Sequence, residues 1–413
     1  MMTTGEVTID SIAAGGDGVA RLDGLVVFLP RTAPGDRGVA QITQRGRLAR
    51  GSLVRLTSPS PERVEPRCLH YTRDRCGGCQ LQHLAYDAQL KAKAQIIRDS
   101  LERIAKRMPP PFEVRRSERE WRYRRKLTLA IRRAPGRDDE WIAGLYPFDQ
   151  PSRVFALDDC PITHPDVLDV WRQVLAAREC LPSAGELRAS VRVAPDGATF
   201  VIEGGTSWPR RDEFVAAVPA LASIWWVSAR GLRRLVHGTT AAQAPGASFS
   251  QVNAEVGDAV RERVLATVLA RAPRSVIDAY AGLGHTAMSL ESAGVPVTAI
   301  ELDAAASAWC GSRLAPPSRA LTGRVEDLLP QALPADVVVL NPPRAGVDAR
   351  VTEALENAAR TLRAVVYVSC NPATLARDLA RLPSFRIAAL AAFDMFPQTA
   401  HVESVCELEP VAA

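Results

Sequence analysis

Over residues 5–57 apolar and polar positions alternate in short runs, as in Glu6-Val7-Thr8-Ile9, and a second run reads Leu25-Val26-Val27-Phe28-Leu29. Turn signals interrupt them at Gly15-Gly16-Asp17-Gly18, Pro34-Gly35-Asp36 and Arg45-Gly46. Short strands joined by tight turns predict a small OB-like β-barrel, with packing on a neighbour and binding of nucleic acid as its two plain uses. Ser58-Pro59-Ser60-Pro61 reads as a linker. The pattern then becomes mixed. Helical periodicity runs from Tyr86 to Arg107 and stops before Pro109-Pro110-Pro111, which no helix continues through. Leu187 to Val193 and Thr199 to Glu203 flank Pro195-Asp196-Gly197, a hairpin signal. From Arg274 onward strands at 275–278, 297–302, 335–340, 364–369, 387–393 and 402–408 alternate largely with helical patterns, so the last third is expected to be a doubly wound, mostly parallel sheet. The expected domains are 1–60, a barrel; 61–245, α+β; and 246–413, α/β.

Composition narrows the class. The 413-residue chain is 47% hydrophobic and 23% charged, and contains no apolar run near the roughly 18 residues of a membrane span. Residues 1–10 show no signal-peptide core, so a cytoplasmic protein is expected, monomeric by default and without an obligate protein partner. The net charge is only +5. Its distribution says more: residues 114–133 hold nine Arg or Lys against two Glu, which points to a polyanion. Within that stretch Trp121-Arg122-Tyr123-Arg124-Arg125-Lys126 interleaves aromatic rings with cations, a pattern suited to phosphates and unpaired bases, or to a protected strand edge.

Candidate chemistry gathers at the carboxyl ends of the predicted parallel strands, where doubly wound folds keep their ligands. Asp278-Ala279-Tyr280-Ala281-Gly282-Leu283-Gly284-His285 follows the first of them, and Gly282 lets the backbone approach a ligand at a helix N-terminus. Glu301 stands 23 residues after Asp278, where a carboxylate can accept both ribose hydroxyls of an adenosine cofactor. After the third strand comes Asn341-Pro342-Pro343-Arg344. With an aromatic residue in place of Arg344 this would resemble the motif of methyltransferases acting on exocyclic amines of bases. Val366-Tyr367-Val368-Ser369 delivers Cys370 into an Asn-Pro turn, and Glu403 follows 33 residues later. A thiol with a carboxylate suggests covalent catalysis with proton removal.

Eight cysteines at irregular spacing, with no export signal, favour metal binding or catalysis over a disulfide framework. Cys68, Cys76, Cys79 and the distant Cys160 form one set. Four thiolates complete the coordination of an iron-sulfur cluster; zinc, held by the same four or by three with His70 or His83, is the alternative. Cys180, Cys310 and Cys406 read as buried structural residues.

These residues together resemble the S-adenosylmethionine-dependent RNA uracil-5-methyltransferases, most nearly those of bacterial 23S rRNA. The resemblance rests on a TRAM-like barrel up to Thr57, Cys79-Gln80-Leu81-Gln82-His83, Ser248-Phe249-Ser250-Gln251-Val252-Asn253, the stretch from Tyr367 to Asp378, and Asp394 to Ser404. It implies a class I, Rossmann-like methyltransferase domain with Cys370 as nucleophile and Glu403 as general base. It also implies a cofactor site including Gln251, Tyr280, Gly282, His285, Glu301, Arg324 and Asn341, a 4Fe-4S cluster on Cys68, Cys76, Cys79 and Cys160, and RNA contacts that include Phe249. The sequence departs from the family pattern at Asn341, where Asp is common, at His285 and Arg324, where Asn is common, and in the seven residues between Cys68 and Cys76, where five are usual. An amine methyltransferase, a tRNA substrate and a noncatalytic RNA-binding protein are the competing readings.

Overall fold

The computed structural model describes residues 2–46, 48–134, 137–238 and 251–411. They fall into two units, the first made of Met1–Val64, His83–Glu118 and Glu255–Ala413, the second of Glu65–Gln82 and Arg119–Ala254.

In the first unit, β1 (Met2–Ile12), β2 (Gly18–Leu22), β3 (Leu25–Leu29), β4 (Arg37–Arg45) and β5 (Leu48–Ser58) close into a barrel of order β1-β2-β3-β5-β4. Val7, Ile9, Ala20, Val27, Leu29, Ala40, Ile42 and Ala49 fill it. The alternation of the sequence is therefore the alternation of inward and outward positions in a strand. The segment read as a linker is docked rather than loose. The Ser60 N–H donates to the buried Asp36 at 2.9 Å, and the Arg63 guanidinium grips the same carboxylate at 2.6 Å.

A short strand β6 (Val114–Arg115) belongs to the large sheet of the first unit. The second unit carries its own sheet: β7 (Lys126–Ala134), β8 (Arg137–Leu145), β9 (Phe155–Ala156), β10 (Glu186–Ala194), β11 (Gly197–Glu203), β12 (Leu221–Val227) and β13 (Arg233–His237), in the order β13-β12-β11-β10-β7-β8-β9. The hairpin signal at Pro195-Asp196 joins β10 to β11, with Ala194 opposite Gly197. Leu127, Leu129, Ile131, Leu187, Val191, Phe200 and Ile202 bury one face of the sheet with Val167, Trp171 and Val174 of the helix Pro165–Ala176.

The large sheet is completed by β14 (Val276–Ala279), β15 (Val297–Glu301), β16 (Arg319–Thr322), β17 (Val337–Leu340), β18 (Ala364–Ser369), β19 (Phe385–Phe393) and β20 (Glu403–Pro410), in the order β16-β15-β14-β17-β18-β20-β19-β6. The strands β14 to β18 are mutually parallel, and β20 runs antiparallel to both β18 and β19. Strand order reverses at β14, which puts a ligand crevice at its carboxyl end. Every residue of β14, β17 and β18 is buried, as expected for a sheet covered on both faces.

One cover comes from far upstream. The helix Tyr86–Ser100 and the single π turn Leu101–Ala105 place Ala94, Ile97, Leu101 and Ala105 in the same core as Ile277, Leu340, Tyr367 and Leu379. Lys93 of this helix makes an ion pair with Asp394, neither side chain having any exposure, and also donates to the Phe396 carbonyl at 3.0 Å. Gln89 and Gln398 exchange two buried hydrogen bonds of 3.0 and 2.9 Å.

Candidate active site and cysteine pocket

The strand β18 ends at Ser369, opposite Ser404 of β20. Because β20 runs the other way, the residue after Ser369 and the residue before Ser404 reach the same end of the sheet. These are Cys370, half-buried, and Glu403, buried. The turn beyond the thiol is built by its own sequence. The Asn371 side chain caps the helix Pro372–Leu379 by accepting from the Ala373 N–H, and Pro372 at its start has no N–H to leave unsatisfied.

Burial pushes the Cys370 thiol above its ordinary value, the Glu403 carboxylate adds to the push, and the Arg344 guanidinium opposes both, partly through a hydrogen bond to the thiol. Burial likewise drives Glu403 up to about 8, again with Arg344 pulling downward. A thiol and a carboxylate thus share one end of the sheet, and Arg344 is the cation that lowers both. The sequence brought out the first two; Arg344 was read there only as the residue that replaces an aromatic ring. The signal that could have found it is its position at the exit of a parallel strand adjacent to β18.

The crevice at β14 holds a second group of expected residues. Glu301, the last residue of β15, accepts from the Gly282 N–H at 2.8 Å and from the Asp303 N–H at 2.7 Å. Tyr280 adopts a left-handed backbone, φ 63°, an uncommon conformation for a bulky residue. Burial and the carboxylates of Glu326, Asp348 and Asp378 hold its phenol protonated. Asn341 leaves β17 exposed, its N–H donating to the Ala279 carbonyl at 3.2 Å. Asp278, which the sequence reading passed over, lies beneath this loop. It is 2% exposed, its Oδ2 has no hydrogen-bond partner, and burial drives it up to about 7.

Arg324 follows Gly323, whose N–H donates to the Glu301 carbonyl at 2.9 Å, and it acts electrostatically on Tyr280. It stands just before the helix Val325–Ala332 and hydrogen-bonds to Glu326 at 2.5 Å. His285 opens the helix His285–Ser292, where burial lowers its basicity first and Arg261 adds to it. Gln251 belongs to the second unit. Phe249, with Ser248 and Ser250, lies outside the described residues.

In the second unit Cys68, Cys76, Cys79 and Cys160 line one cavity of about 80 Å³, with His70, Gln82 and Arg124 also in its wall. Burial raises the Cys79 thiol most, and the neighbouring Cys160, Cys76 and Cys68 raise it further. Among the described residues no group of three or more His, Cys, Asp or Glu side chains is placed to hold a metal ion.

The basic segment packs onto this pocket. Tyr123, expected to stack on a base, is instead 5% exposed and lies with Cys79, Ile162, Trp121 and Cys160. The Arg122 guanidinium is committed to both oxygens of Asp159 at 2.7 Å and to the Cys160 carbonyl at 3.0 Å. Arg67 lies over the Trp121 ring, and the Arg124 side chain donates to the Lys126 carbonyl at 2.9 Å. Arg125 and Lys126 are half-buried. The aromatic-cation interleaving reflects in part the lining of a cysteine pocket, a distinction that spacing alone does not carry.

The family model described as tRNA (Uracil-5-)-methyltransferase matches residues 318–410, the stretch that carries Arg344, Cys370 and Glu403, and the TRAM domain model matches residues 3–54 in the barrel. A 23S rRNA (uracil(1939)-C(5))-methyltransferase of Dichelobacter nodosus is 31% identical over 97% of this chain and 97% of its own length. The chain belongs to the S-adenosylmethionine-dependent RNA uracil-5-methyltransferase family. An RNA methyltransferase of Rhizobium meliloti, named as uncharacterized, is 34% identical over 99% of the chain and 100% of its own length. The fold of this methyltransferase agrees with the crystal structure of the Pyrococcus abyssi tRNA (uracil-54, C5)-methyltransferase in complex with S-adenosyl-L-homocysteine, with a TM-score of 0.70, 22% identity, and 98% and 99% of the two chains covered. Among the described residues no helix is long and apolar enough to cross a membrane.

Proposed function

We propose that the protein methylates carbon 5 of a uridine in 23S rRNA through a covalent adduct on Cys370. The observation that carries this reading is the convergence of Cys370 and Glu403 at one end of the β18–β20 pair, in a chain of this family. Carbon 5 of uracil is a weak nucleophile. Addition of the Cys370 thiolate to carbon 6 moves the C5=C6 electron pair toward oxygen 4 as an enolate, which makes carbon 5 nucleophilic. S-adenosylmethionine supplies the electrophilic methyl group. Glu403 then takes the carbon 5 proton, the C6–S bond breaks, and the thiolate leaves as the double bond re-forms.

The electrostatics fit this order. A thiolate and a carboxylate side by side repel, which is why Glu403 raises Cys370. Once sulfur is a neutral thioether that repulsion is gone, so ionised Glu403 is cheapest in the step that needs it as a base. The target base reaches the site unpaired or flipped out, at a cost of a few kcal/mol.

For the cofactor, the residues at β14 fit an adenosine: the Glu301 carboxylate at the strand end, the Gly282 loop, exposed Asn341, and the orphaned Asp278 oxygen beneath. Tyr280, His285 and Arg324 complete the proposed set. The four cysteines fit a 4Fe-4S cluster. Their donor set is all sulfur, and a cavity of about 80 Å³ exceeds the roughly 10–15 Å³ that a single water needs, leaving room for a group of several atoms. The cluster would hold together the segments around Cys68–Cys79 and Cys160. RNA is the proposed partner, met by the TRAM barrel, by Trp121 to Lys126 where their side chains reach the surface, and by Phe249. We assign residues 1–60, 61–245 and 246–413 as the barrel, central and methyltransferase domains by sequence, except that 83–118 goes with the barrel and methyltransferase unit, the protein acting as a cytoplasmic monomer.

Unmodified 23S rRNA and tRNA incubated with the protein and methyl-labelled S-adenosylmethionine, followed by nucleoside mass spectrometry, test the reading. Label in 5-methyluridine of 23S rRNA is the expected result, and Cys370→Ala abolishes it. Label in a methylated adenine or guanine, or full activity of Cys370→Ala, overturns the covalent mechanism; label in tRNA alone overturns the substrate.

A further inference from the structure

Glu403 stands at the closing pair of a hairpin. As the first residue of β20 it lies opposite Phe393, the last residue of β19, and residues 394–402 connect the two strands. An irregular connection has no ladder of its own, so its shape depends on what its polar groups meet. Here they meet the helix Tyr86–Ser100. Lys93 Nζ donates to Asp394 Oδ1 at 2.5 Å and to the Phe396 carbonyl at 3.0 Å. One turn earlier the Gln89 amide donates to Gln398 Oε1 at 3.0 Å and accepts from the Gln398 N–H at 2.9 Å, while a bond to the Leu84 carbonyl at 3.0 Å fixes its orientation. One turn later Ile97 shares a core with Val402, the residue before Glu403. Residues 89, 93 and 97 fall on a single stripe of the helix, and that stripe holds the connection along its length. Gln398 is kept at φ 71°, a backbone that side chains disfavour and that persists where the surroundings over-determine it.

Buried ion and amide pairs are weak devices for stability alone, since apolar residues of similar volume hold a helix as well. What they add is a single arrangement, because a shifted loop would leave buried donors without acceptors. We propose that Gln89 and Lys93 are positioning residues for Glu403: they lock residues 394–402 in the one shape that aims the carboxylate at the carbon 5 proton, so the upstream helix governs product release rather than methyl transfer. This rests on the covalent reading above. In the step they serve, Glu403 takes the carbon 5 proton, the C5–H electron pair re-forms the C5=C6 bond, and the C6–S pair returns to Cys370 as thiolate. Gln89 and Lys93 exchange no proton and touch no reacting atom. Their effect is one of aim, and a displacement of about 1 Å at a reacting group costs about 100-fold in rate.

The test is a single turnover of the full chain on unmodified 23S rRNA with methyl-labelled S-adenosylmethionine, quenched in denaturant. Methylated RNA–protein adduct is read by denaturing gel and free 5-methyluridine by nucleoside analysis. Wild type is compared with Gln89→Ala and with Lys93→Met/Asp394→Leu, which removes both charges together and leaves no buried ion unpaired. Each is assayed below its own unfolding midpoint, and the double variant carries the test if Gln89→Ala does not fold. In both, release of 5-methyluridine is expected to slow about 10- to 100-fold while the rate of adduct formation and KM for RNA stay close to wild type, so adduct accumulates. In a Glu403→Gln background the same substitutions are expected to slow release no further, because the group they aim is already gone. Adduct formation and release falling together, neither changing, or a further loss in the Glu403→Gln background overturns the proposal and leaves the helix as a cover for the sheet. Absence of both adduct and 5-methyluridine with the wild type removes the covalent reading and this inference with it, a result distinct from the others.

Discussion

Ser369 and Ser404 face each other across the antiparallel strands β18 and β20, and the Ser404 hydroxyl donates to the Ser369 carbonyl at 3.2 Å. The next residue along one strand is the thiol and the previous one along the other is the carboxylate. Glu403→Gln keeps the shape and removes the base. Methylated adduct on Cys370 is expected to accumulate and 5-methyluridine release to fall by a factor of about 100 to 10,000, read by denaturing gel shift of labelled RNA and by nucleoside analysis.

The same carboxyl leaves a mark on stability. Burial holds Glu403 near 8 in the folded protein, above the ordinary 4.5, so the folded state binds this proton more tightly than the unfolded chain does. That contribution is complete below about pH 4.5 and disappears as pH rises through 8. Glu403→Gln is therefore expected to melt above wild type once pH exceeds 8, by something on the order of 2 kcal/mol, with the gap closing toward pH 5. A constant gap from pH 5 to 9 by thermal unfolding would contradict it.

Lys93 and Asp394 are a pair with no exposure on either side. Lys93→Met strands a carboxylate in the core and is expected to cost about 3–5 kcal/mol, whereas Lys93→Met with Asp394→Leu recovers much of it. Urea unfolding of the two variants decides between a pair and two independent residues.

At Gly346 the backbone has φ 76°, and a Cβ would lie 2.4 Å from Asp378 Oδ2 and 2.6 Å from an Arg377 nitrogen. Gly346→Ala is expected to cost about 1–3 kcal/mol and to displace Arg344, lowering kcat more than it raises KM. Steady-state kinetics at a temperature well below unfolding separate the two effects.

For the cofactor, Glu301→Ala removes the acceptor of the Gly282 and Asp303 N–H groups. S-adenosylmethionine affinity is expected to fall by about 10- to 100-fold, on the scale of lost hydrogen bonds to a charged group, as read by calorimetry. Unchanged affinity would move the ribose contact elsewhere. Anaerobically purified protein is expected to carry iron and acid-labile sulfide, and Cys79→Ala to lose both.

Much of this architecture was legible because hydrophobic periodicity is loud where strands are fully buried, as in Val337–Leu340 and Ala364–Ser369, and because the hairpin at Pro195-Asp196 announces itself. In the large sheet the strands missed were Arg319–Thr322 and Val114–Arg115. One is a partly exposed edge of four residues with no apolar run, and the other is two residues long inside a basic stretch. Cys370 and Glu403 were legible from their places at strand ends. Arg344 was not, since its pull on the thiol depends on where its loop is held, by the Asn371 and Thr374 side chains that donate to its carbonyl. Tyr123 was misjudged because a ring between arginines has the same spelling on a surface and against a pocket.

The methyltransferase sheet is assembled from two separated stretches of chain, 83–118 and 255–411. During synthesis the helix Tyr86–Ser100 and β6 leave the ribosome long before β19, the strand that β6 pairs with, has been made. Their apolar faces must wait through the whole of the intervening unit. A fragment that begins at residue 246 lacks the helix and edge strand that cover Tyr367 and Leu379, so the catalytic sheet cannot be cut out as a working piece, and its completion is a late event in the life of the chain.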